Sequence, residues 1–263
     1  MKILCIGDIV GRPGREAVAY ALPRIKKEMG VDFIVANAEN ASGGSGLIPK
    51  NADELLSFGV DVITMGDHVW DKPDIFPYLQ GNRQKIVRPA NFPEGTPGFG
   101  WTIVRAANGV NVAVINLLGR TFMRYNVPCP FRALESILAQ IGKQANVILV
   151  DMHAETTSEK VAMGHFSDGK VSLVFGTHTH IQTADEKVLP QGTGYITDLG
   201  MTGPYDSVIG QDKAKIITRF LTSMPNKFEV AKAPGTVHGV IVKIDPKTGL
   251  AEGITRLQMA HGE

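Results

Sequence analysis

The stretch Val60-Asp-Val-Ile-Thr-Met-Gly-Asp-His-Val-Trp-Asp71 places two metal-ligand side chains directly after an apolar, β-branched run. Such a run predicts a buried strand, and Gly66 then lets the backbone and a ligand approach each other closely. Asp67 offers a hard oxygen ligand and His68 a neutral imidazole. We therefore expect this strand to end at a functional site.

The segments before this strand repeat the same arrangement. Apolar runs at Lys2–Gly7 and Asp32–Asn37 are each followed by a helical pattern, about Arg15–Met29 and Ala52–Phe58. Pro23 predicts a kink or a restart in the first of these helices. Strands that are apolar throughout and alternate with helices are typical of a parallel sheet covered on both faces.

The middle of the chain changes character. Strand-like runs at Lys85–Arg88, Trp101–Arg105 and Val110–Leu117 follow one another without a helix, which indicates an antiparallel section or a second sheet. Helix and strand patterns then alternate again, with Gly200–Gly203 predicted as a loop and Phe228–Ala231 as a strand. The sequence thus predicts an α/β sandwich of two mixed sheets with helices outside, as one domain over residues 1–263.

A dinucleotide-binding fold is the competing interpretation. It is disfavoured because the chain after the first strand reads Gly7-Asp-Ile-Val-Gly-Arg-Pro-Gly14 rather than G-x-G-x-x-G.

The composition excludes several classes of protein. Of 263 residues, 43% are hydrophobic and 20% charged, which is ordinary globular usage, and the formal net charge is +1 without a long run of one sign. Stable binding of long nucleic acid is therefore disfavoured, whereas a small nucleotide is compatible. No stretch has transmembrane length and the first residues lack a signal-peptide pattern, so we expect no membrane association and a cytoplasmic location.

Two further expectations concern cysteines and aromatic residues. Cys5 and Cys129 match neither a disulfide framework nor a zinc spacing. The oligomeric state stays open, including a homo-oligomer. The apolar residues of Phe122–Tyr125 and Phe131 are candidates for either an interface or the core, and the core is favoured.

Ligand-type side chains follow five of the predicted strands. They are Asp8, Glu39 and Asn40, Asp67 and His68, His153, and His178 and His180. Because parallel strands end along one edge of a sheet, these groups are predicted to meet there. The set suffices for two metal ions that share a carboxylate, and its mixed chemistry favours manganese, iron or zinc over calcium.

Each residue also has a plain structural alternative. Asp8 alone is typical of a turn or helix cap, Glu39-Asn40 of the start of a loop, and His153 of a core histidine. The pair His178 and His180 is harder to dismiss, because alternation along an extended chain puts both imidazoles on one face. The remaining histidines, His165, His238 and His261, do not follow strands in this way and are assigned structural or surface roles.

In this order the motifs Gly7-Asp8, Glu39-Asn40, Gly66-Asp67-His68, His153 and Gly176-Thr-His-Thr-His180 resemble those of calcineurin-like metallophosphoesterases. The stretches Asn37–Gly44, Arg88–Pro93 and Gly176–Asp185 are similar to a bacterial subgroup of 2′,3′-cyclic-nucleotide phosphodiesterases. The resemblance extends from Lys2 to about Ile254. It implies a four-layer α/β/β/α sandwich and two metal ions, iron or manganese.

The resemblance also implies roles for individual residues. Asp8, Glu39, Asn40 and His180 would hold the first metal, and Glu39 would bridge to a second metal completed by Asp67, His153 and His178. A metal-bound hydroxide would attack the phosphorus of a small cyclic nucleotide such as 2′,3′-cyclic AMP, with His68 as the general acid. Arg12 and Asn91 are candidates for substrate contact and are equally typical of turn residues.

The sequence departs from the family pattern at two positions. Val10 stands where the superfamily usually has histidine, and Asn40 is expected to take that ligand position. Asp67 stands where the family has asparagine, which adds a negative charge that should tighten metal binding and weaken Lewis acidity. Two alternatives therefore stay open: a catalytically weak regulator that binds metal and nucleotide, and a mononuclear hydrolase acting on another bond, such as an amidohydrolase.

Overall fold

A computed structural model describes residues 1–260, so His261 and the end of the predicted 1–263 domain lie outside the described residues. The described helices are α1 Gly11–Met29, α2 Pro49–Ser57, α3 Ile75–Gly81, α4 Pro130–Ile141, α5 Thr157–Ser167 and α6 Lys213–Thr222. The strands of the N-terminal half are β1 Lys2–Ile6, β2 Asp8–Ile9, β3 Phe33–Asn37, β4 Val62–Thr64, β5 Ile86–Val87, β6 Trp101–Arg105 and β7 Asn111–Leu118. Those of the C-terminal half are β8 Val147–His153, β9 Leu173–Thr177, β10 Lys187–Val188, β11 Gly194–Ile196, β12 Met201–Pro204, β13 Gly235–Ile244 and β14 Ala251–Ala260.

The strands form two mixed sheets. In the first, β1, β3, β4 and β5 are parallel neighbours, and β1 pairs on its other side with the antiparallel β13. Strand β13 also pairs with β14 and with β12, which pairs in turn with β2. In the second sheet β7, β8, β9 and β11 are parallel, with antiparallel β6 and β10 at the edges.

Three apolar cores define the layers. Alternation along β1 sends Ile3 and Cys5 into a core between the two sheets, while Leu4 and Ile6 join a core that includes residues of α1 and α2. The outer face of the second sheet packs on α4 and α5 in a third core. The order is therefore helices, sheet, sheet, helices, and the prediction of a four-layer α/β/β/α sandwich is confirmed.

Glycines in residues 200–203 reflect close packing rather than a turn. Residues Met201–Pro204 form β12, where a loop was expected. A Cβ on Gly203 would lie 3.0 Å from Val10 Cβ, and one on Gly7 would lie 1.8 Å from Gly200 O, so both glycines allow neighbouring segments to touch. This close approach brings β2, and with it Asp8, alongside β12.

Four other predictions differ from the structure. Residues 228–231 are not a strand, because Val230 forms only an isolated bridge to Gln211. Helix α1 begins at Gly11, earlier than expected, and continues through Pro23 as one uninterrupted helix. Phe122 is 86% exposed, so a core position was wrong for it, whereas Phe131 packs on the third core. Within residues 1–260, every helix is too short or too polar to cross a bilayer.

Candidate metal centre

Strands of both sheets deliver the predicted ligands to one place. Four of them form what we call the tight cluster: Glu39, Asp67, His153 and His178 have ligand atoms that all lie within 4.8 Å of one another. Glu39 follows β3, Asp67 follows β4, His153 ends β8 and His178 follows β9. The ends of two strands from each sheet therefore meet, as the sequence predicted for the edge of the sheets.

The spacing inside the tight cluster suits a shared cation. His153 Nε2 lies 3.1 Å from Glu39 Oε1 and 3.1 Å from Asp67 Oδ1, and His178 Nδ1 lies 3.3 Å from Asp67 Oδ1. Neighbouring ligands at about 2.0–2.2 Å from one ion are themselves roughly 3 Å apart. His153 and Glu39 are almost completely buried. The donor set therefore fits a transition metal.

Three further predicted ligands form what we call the Asp8 group: Asp8, Asn40 and His180. His180 Nε2 lies 4.0 Å from Asp8 Oδ1, and Asp8 Oδ2 accepts a hydrogen bond from the backbone N–H of His178 at 3.1 Å. Asn40 Oδ1 is buried and has no hydrogen-bond partner among the described residues. A buried amide oxygen left without a donor is suited to coordinate a cation.

Gly66 makes room for the tight cluster. A Cβ at this position would lie 2.2 Å from Glu39 Oε2 and 2.3 Å from His153 Nε2. Any side chain at residue 66 would therefore displace these groups. The close approach expected from the sequence is present.

Charges within the tight cluster shift the pKa values of its members. Burial lowers the pKa of His153, but the carboxylates of Glu39 and Asp67 outweigh burial and raise it well above the usual range. Burial raises the pKa of Asp67, but hydrogen bonds and charge interactions with His153 and His178 hold it well below the usual range. The carboxylates thus favour positive charge at this point, which a metal ion would supply in place of protons.

A buried network of hydrogen bonds fixes the Nδ1 side of the His153 ring. Thr177 Oγ1 donates to Asp151 Oδ1 at 2.7 Å and therefore accepts from His153 Nδ1 at 2.8 Å. This arrangement assigns Nδ1–H to Thr177, so Nε2 is the nitrogen that would bind a metal ion in the tight cluster. Asp151 also accepts from Asn37 and Thr64, and burial raises its pKa to about 6. Sequence reasoning missed Asp151, although a carboxylate that ends the apolar run Val147–Val150 was a signal.

The segment from His178 to His180 is held in an unusual conformation. Both histidines have positive φ, +98° and +65°, so the extended chain expected here is wrong, although both imidazoles reach the site. Asp198 fixes the turn, because its Oδ2 accepts from Thr179 Oγ1 at 2.7 Å and pairs with buried Lys160 at 2.6 Å. His180 Nδ1 donates to Ile209 O at 2.9 Å, which directs Nε2 toward Asp8.

His68 lies beside the tight cluster. Its backbone N–H donates to Glu39 Oε2 at 3.0 Å, and its Nδ1 lies 2.8 Å from Asp71 Oδ2. Burial lowers the pKa of His68, but the carboxylates of Glu39, Asp67 and Asp71 together raise it above its usual value. Asp71 also accepts from Arg124 Nη1 at 2.7 Å. Sequence reasoning assigned no role to Asp71, which lies three residues after His68.

Members of the tight cluster and of the Asp8 group, together with His68, line a cavity of about 550 Å³, which we call the metal cavity. Its lining includes Glu39, Asn40, Gly43, Gly44, Ser45, His68, Glu155, His178, Thr179, His180, Ile209, Gln211 and Phe228. Two predicted substrate contacts do not line it. The Arg12 side chain is 80% exposed and pairs with Glu16. Asn91 is buried; its Nδ2 donates to Leu118 O and Pro128 O, and its Oδ1 accepts from Leu118 N.

A four-layer sandwich whose strand ends bring carboxylates and imidazoles together is typical of the metallophosphoesterase fold. The chain belongs to the YmdB-like protein family, which matches residues 4–257. The resemblance stated for the sequence is thereby confirmed.

Individual relatives support this assignment. The chain is 49% identical over 257 residues to a 2′,3′-cyclic-nucleotide 2′-phosphodiesterase of Bacillus subtilis (strain 168), covering 98% of this chain and 96% of that protein. A crystal structure of a hypothetical protein from Thermus thermophilus superposes with TM-score 0.91 at 38% identity, over 99% of both chains. That of a novel phosphatase from Mycoplasma pneumoniae gives TM-score 0.92 at 32% identity, over 99% of this chain and 93% of that one.

Proposed function

We propose that this protein is a metal-dependent phosphodiesterase that hydrolyses 2′,3′-cyclic nucleotides to nucleoside monophosphates. The observation that carries the proposal is the tight cluster of four ligand-type side chains, two of which, Glu39 and His178, line a cavity together with Asn40, His180 and His68. The activity for which the Bacillus subtilis relative is named supports the substrate class.

Two metal ions fit the arrangement of ligands. The Asp8 group with Glu39 would hold one ion, and the tight cluster, which contains Glu39, would hold the other. The mixture of carboxylate, amide and imidazole supports iron or manganese, with zinc as a third candidate. When bound, the ions would supply Lewis acidity toward the phosphoryl oxygens and lower the pKa of a water nucleophile.

The surroundings of His68 support its assignment as the general acid that protonates the leaving group. Asp71 engages Nδ1 and fixes the ring, so that Nε2 is the nitrogen left to serve the substrate. Glu39 fixes the backbone of His68 at the edge of the tight cluster. In a 2′,3′-cyclic nucleotide the departing oxygen stays on the ribose, and proton donation to it is worth roughly 10²–10⁴-fold in rate.

The test compares two leaving groups in protein loaded with Mn²⁺ or Fe²⁺. We expect His68→Ala to lower kcat on 2′,3′-cyclic AMP by about 10²–10⁴-fold with unchanged metal content. The loss should be far smaller on bis-p-nitrophenyl phosphate, because nitrophenolate departs without a proton. His165→Ala, which changes an exposed histidine of α5, is the matched control.

Two results would contradict this proposal. An equal loss on both substrates would remove the acid role from His68. Activity that survives complete removal of metal would overturn the metal-dependent mechanism as a whole.

Asp67 favours a second candidate, a weakly catalytic regulator that binds metal and nucleotide. Its carboxylate contacts both His153 and His178 and adds negative charge to the tight cluster. Tight nucleotide binding with negligible turnover at full metal content would favour the regulator. One metal per chain by elemental analysis would favour the mononuclear alternative instead.

The unpaired cysteines Cys5 and Cys129 are compatible with the proposed cytoplasmic location.

A further inference from the structure

We propose that the nucleobase of the substrate binds against Phe228 and Ile209, and that its exocyclic amino group donates to Gln211 Oε1. This inference rests on the proposed function and adds a base-binding subsite to it. Adenine and cytosine carry the amino group that the subsite would recognise.

An apolar cavity adjoins the metal cavity on the side of α6. It has a volume of about 340 Å³ and shares Ile209, Gln211 and Phe228 with the metal cavity, while Ile216 and Phe220 line its further part. A substrate whose phosphate lies at the metal ligands can therefore extend an apolar group across the shared residues. Ligand pockets commonly combine such an apolar wall with a few polar groups that fix orientation.

Phe228 supplies an aromatic surface at this junction. Its side chain is 55% exposed, and the Arg219 guanidinium lies 4.7 Å from the ring centroid. This cation–π contact favours the observed position of the ring. Bases of nucleotides stack readily on such exposed aromatic rings, irrespective of which base is present.

Gln211 supplies the polar group. Its Oε1 is buried and finds no hydrogen-bond partner in residues 1–260, and the side chain lines both cavities, so a turn of the amide brings this oxygen to a ligand. Its backbone is held by hydrogen bonds with Val208, so the side chain projects from a fixed point. A buried acceptor without a donor is unfavourable, and a ligand that donates to it removes that cost.

The same segment is connected to the metal ligands. Ile209 O accepts from His180 Nδ1 at 2.9 Å, so the residue that forms part of the apolar wall also orients a proposed ligand. The base subsite is therefore at a fixed position relative to the Asp8 group. One substrate can be bound by both.

The test measures steady-state kinetics of the metal-loaded protein on three cyclic diesters. They are 2′,3′-cyclic AMP, the 2′,3′-cyclic phosphate of purine riboside, which lacks the amino group, and that of methyl riboside, which lacks the base. We expect Phe228→Ala to raise KM for 2′,3′-cyclic AMP about tenfold with kcat within about twofold. Turnover of the methyl riboside compound should not change.

Two further variants sharpen the test. Gln211→Leu should abolish a preference of roughly two- to tenfold for 2′,3′-cyclic AMP over the purine riboside compound. Leu221→Ala, which removes an 81% exposed apolar side chain of α6 outside both cavities, should leave all three substrates unaffected.

The contrary outcomes separate this inference from the proposed function. Equal kcat/KM of the wild type on the base-free and adenine substrates would overturn the base subsite and leave the phosphodiesterase intact. No turnover of any substrate would overturn the function, and calorimetric binding of 2′,3′-cyclic AMP to the wild type and Phe228→Ala would then test the subsite alone. A change in molecular mass with Phe228→Ala at unchanged KM would overturn the subsite and assign the apolar surface to a second copy of the chain.

Discussion

The tight cluster and the Asp8 group differ in how the fold holds them. In the tight cluster the ligand atoms of His153 lie 3.1 Å from those of Glu39 and Asp67. In the Asp8 group the corresponding distance between His180 and Asp8 is 4.0 Å, and Asn40 Oδ1 is left without a partner among residues 1–260. The first set is already assembled, whereas the second is more widely spaced.

The groups that fix the histidines of the two sets also differ in rigidity. His153 ends a central strand and is fixed by Thr177 and Asp151, which are themselves buried in the second sheet. His180 depends instead on the backbone carbonyl of Ile209, and both residues have positive φ. Ligands fixed by rigid strands lose less freedom on binding a metal than ligands fixed by loops. We therefore expect the two sets to bind metal with unequal affinity.

The largest effect is expected for His153→Ala. The substitution removes a fully buried ligand, takes the imidazole partner from Glu39 and leaves Asp67 with His178 alone. We expect the tight cluster to lose its metal and kcat/KM to fall by roughly 10³-fold or more, because metal-ion catalysis supplies several kcal/mol. Elemental analysis and phosphodiesterase assays measure the two effects.

Asn40→Ala is the matched change in the Asp8 group. It removes one neutral ligand, so a smaller loss that excess Mn²⁺ restores is expected. If Asn40→Ala removed metal as completely as His153→Ala, the proposed inequality of the two sets would be wrong.

Thr177→Val should have an intermediate effect. The variant keeps the shape of the side chain but removes the acceptor for His153 Nδ1 and the donor to Asp151. Loss of such a supporting hydrogen bond typically costs 10–100-fold in metal affinity or activity. Metal titration of the apoprotein measures the affinity, and Thr102→Val, at a buried threonine of β6, is the control. Unchanged affinity would show that the tight cluster does not need this support.

Asp67→Asn tests the charge of the tight cluster. Because the amide removes one negative charge between His153 and His178, we expect weaker metal binding and a turnover number about two- to tenfold higher at saturating metal. Kinetics at several Mn²⁺ concentrations separate the two effects. A fall in turnover at full metal content would show that the charge does not limit the reaction.

The sequence was sufficient to locate the proposed ligands but not the groups that fix their positions. Seven proposed metal ligands could be identified because each follows an apolar strand, and this position is a local property of the chain. The position of Asp151 at the end of an apolar run was a signal, but its supporting role could not be identified, because that role depends on contacts with Thr177 and Asn37, far away in sequence. The same limit applies to Asp198, whose partner Lys160 is 38 residues away.

The fold, too, was predictable from local sequence patterns in some elements and not in others. The parallel strands and most helices were predictable from apolar periodicity, and the two-sheet sandwich followed from the lack of helices between residues 85 and 117. Strands β2 and β12 were not predictable, because they are short and exist through their pairing with each other and with β13. Gly200 and Gly203, before and within β12, indicated a loop in the sequence, whereas in the structure they permit close packing.

The smallest expected effect concerns His238, which lies on β13 next to the strands that hold Asp8. Its ring stacks on Tyr205 at 4.0 Å, its Nδ1 has no partner in the described part of the chain, and burial lowers its pKa to about 4. The unfolded chain binds a proton at His238 near pH 6.5 and the folded chain does not, so this residue destabilises the fold progressively as the pH falls from about 6.5 toward about 4. His238→Phe retains an aromatic ring without the titration. We expect the wild type to lose about 1 kcal/mol more unfolding free energy than this variant between about pH 7 and pH 5, measured by urea denaturation. Parallel losses in the two proteins would show that the titration of His238 does not contribute to the pH dependence of the unfolding free energy.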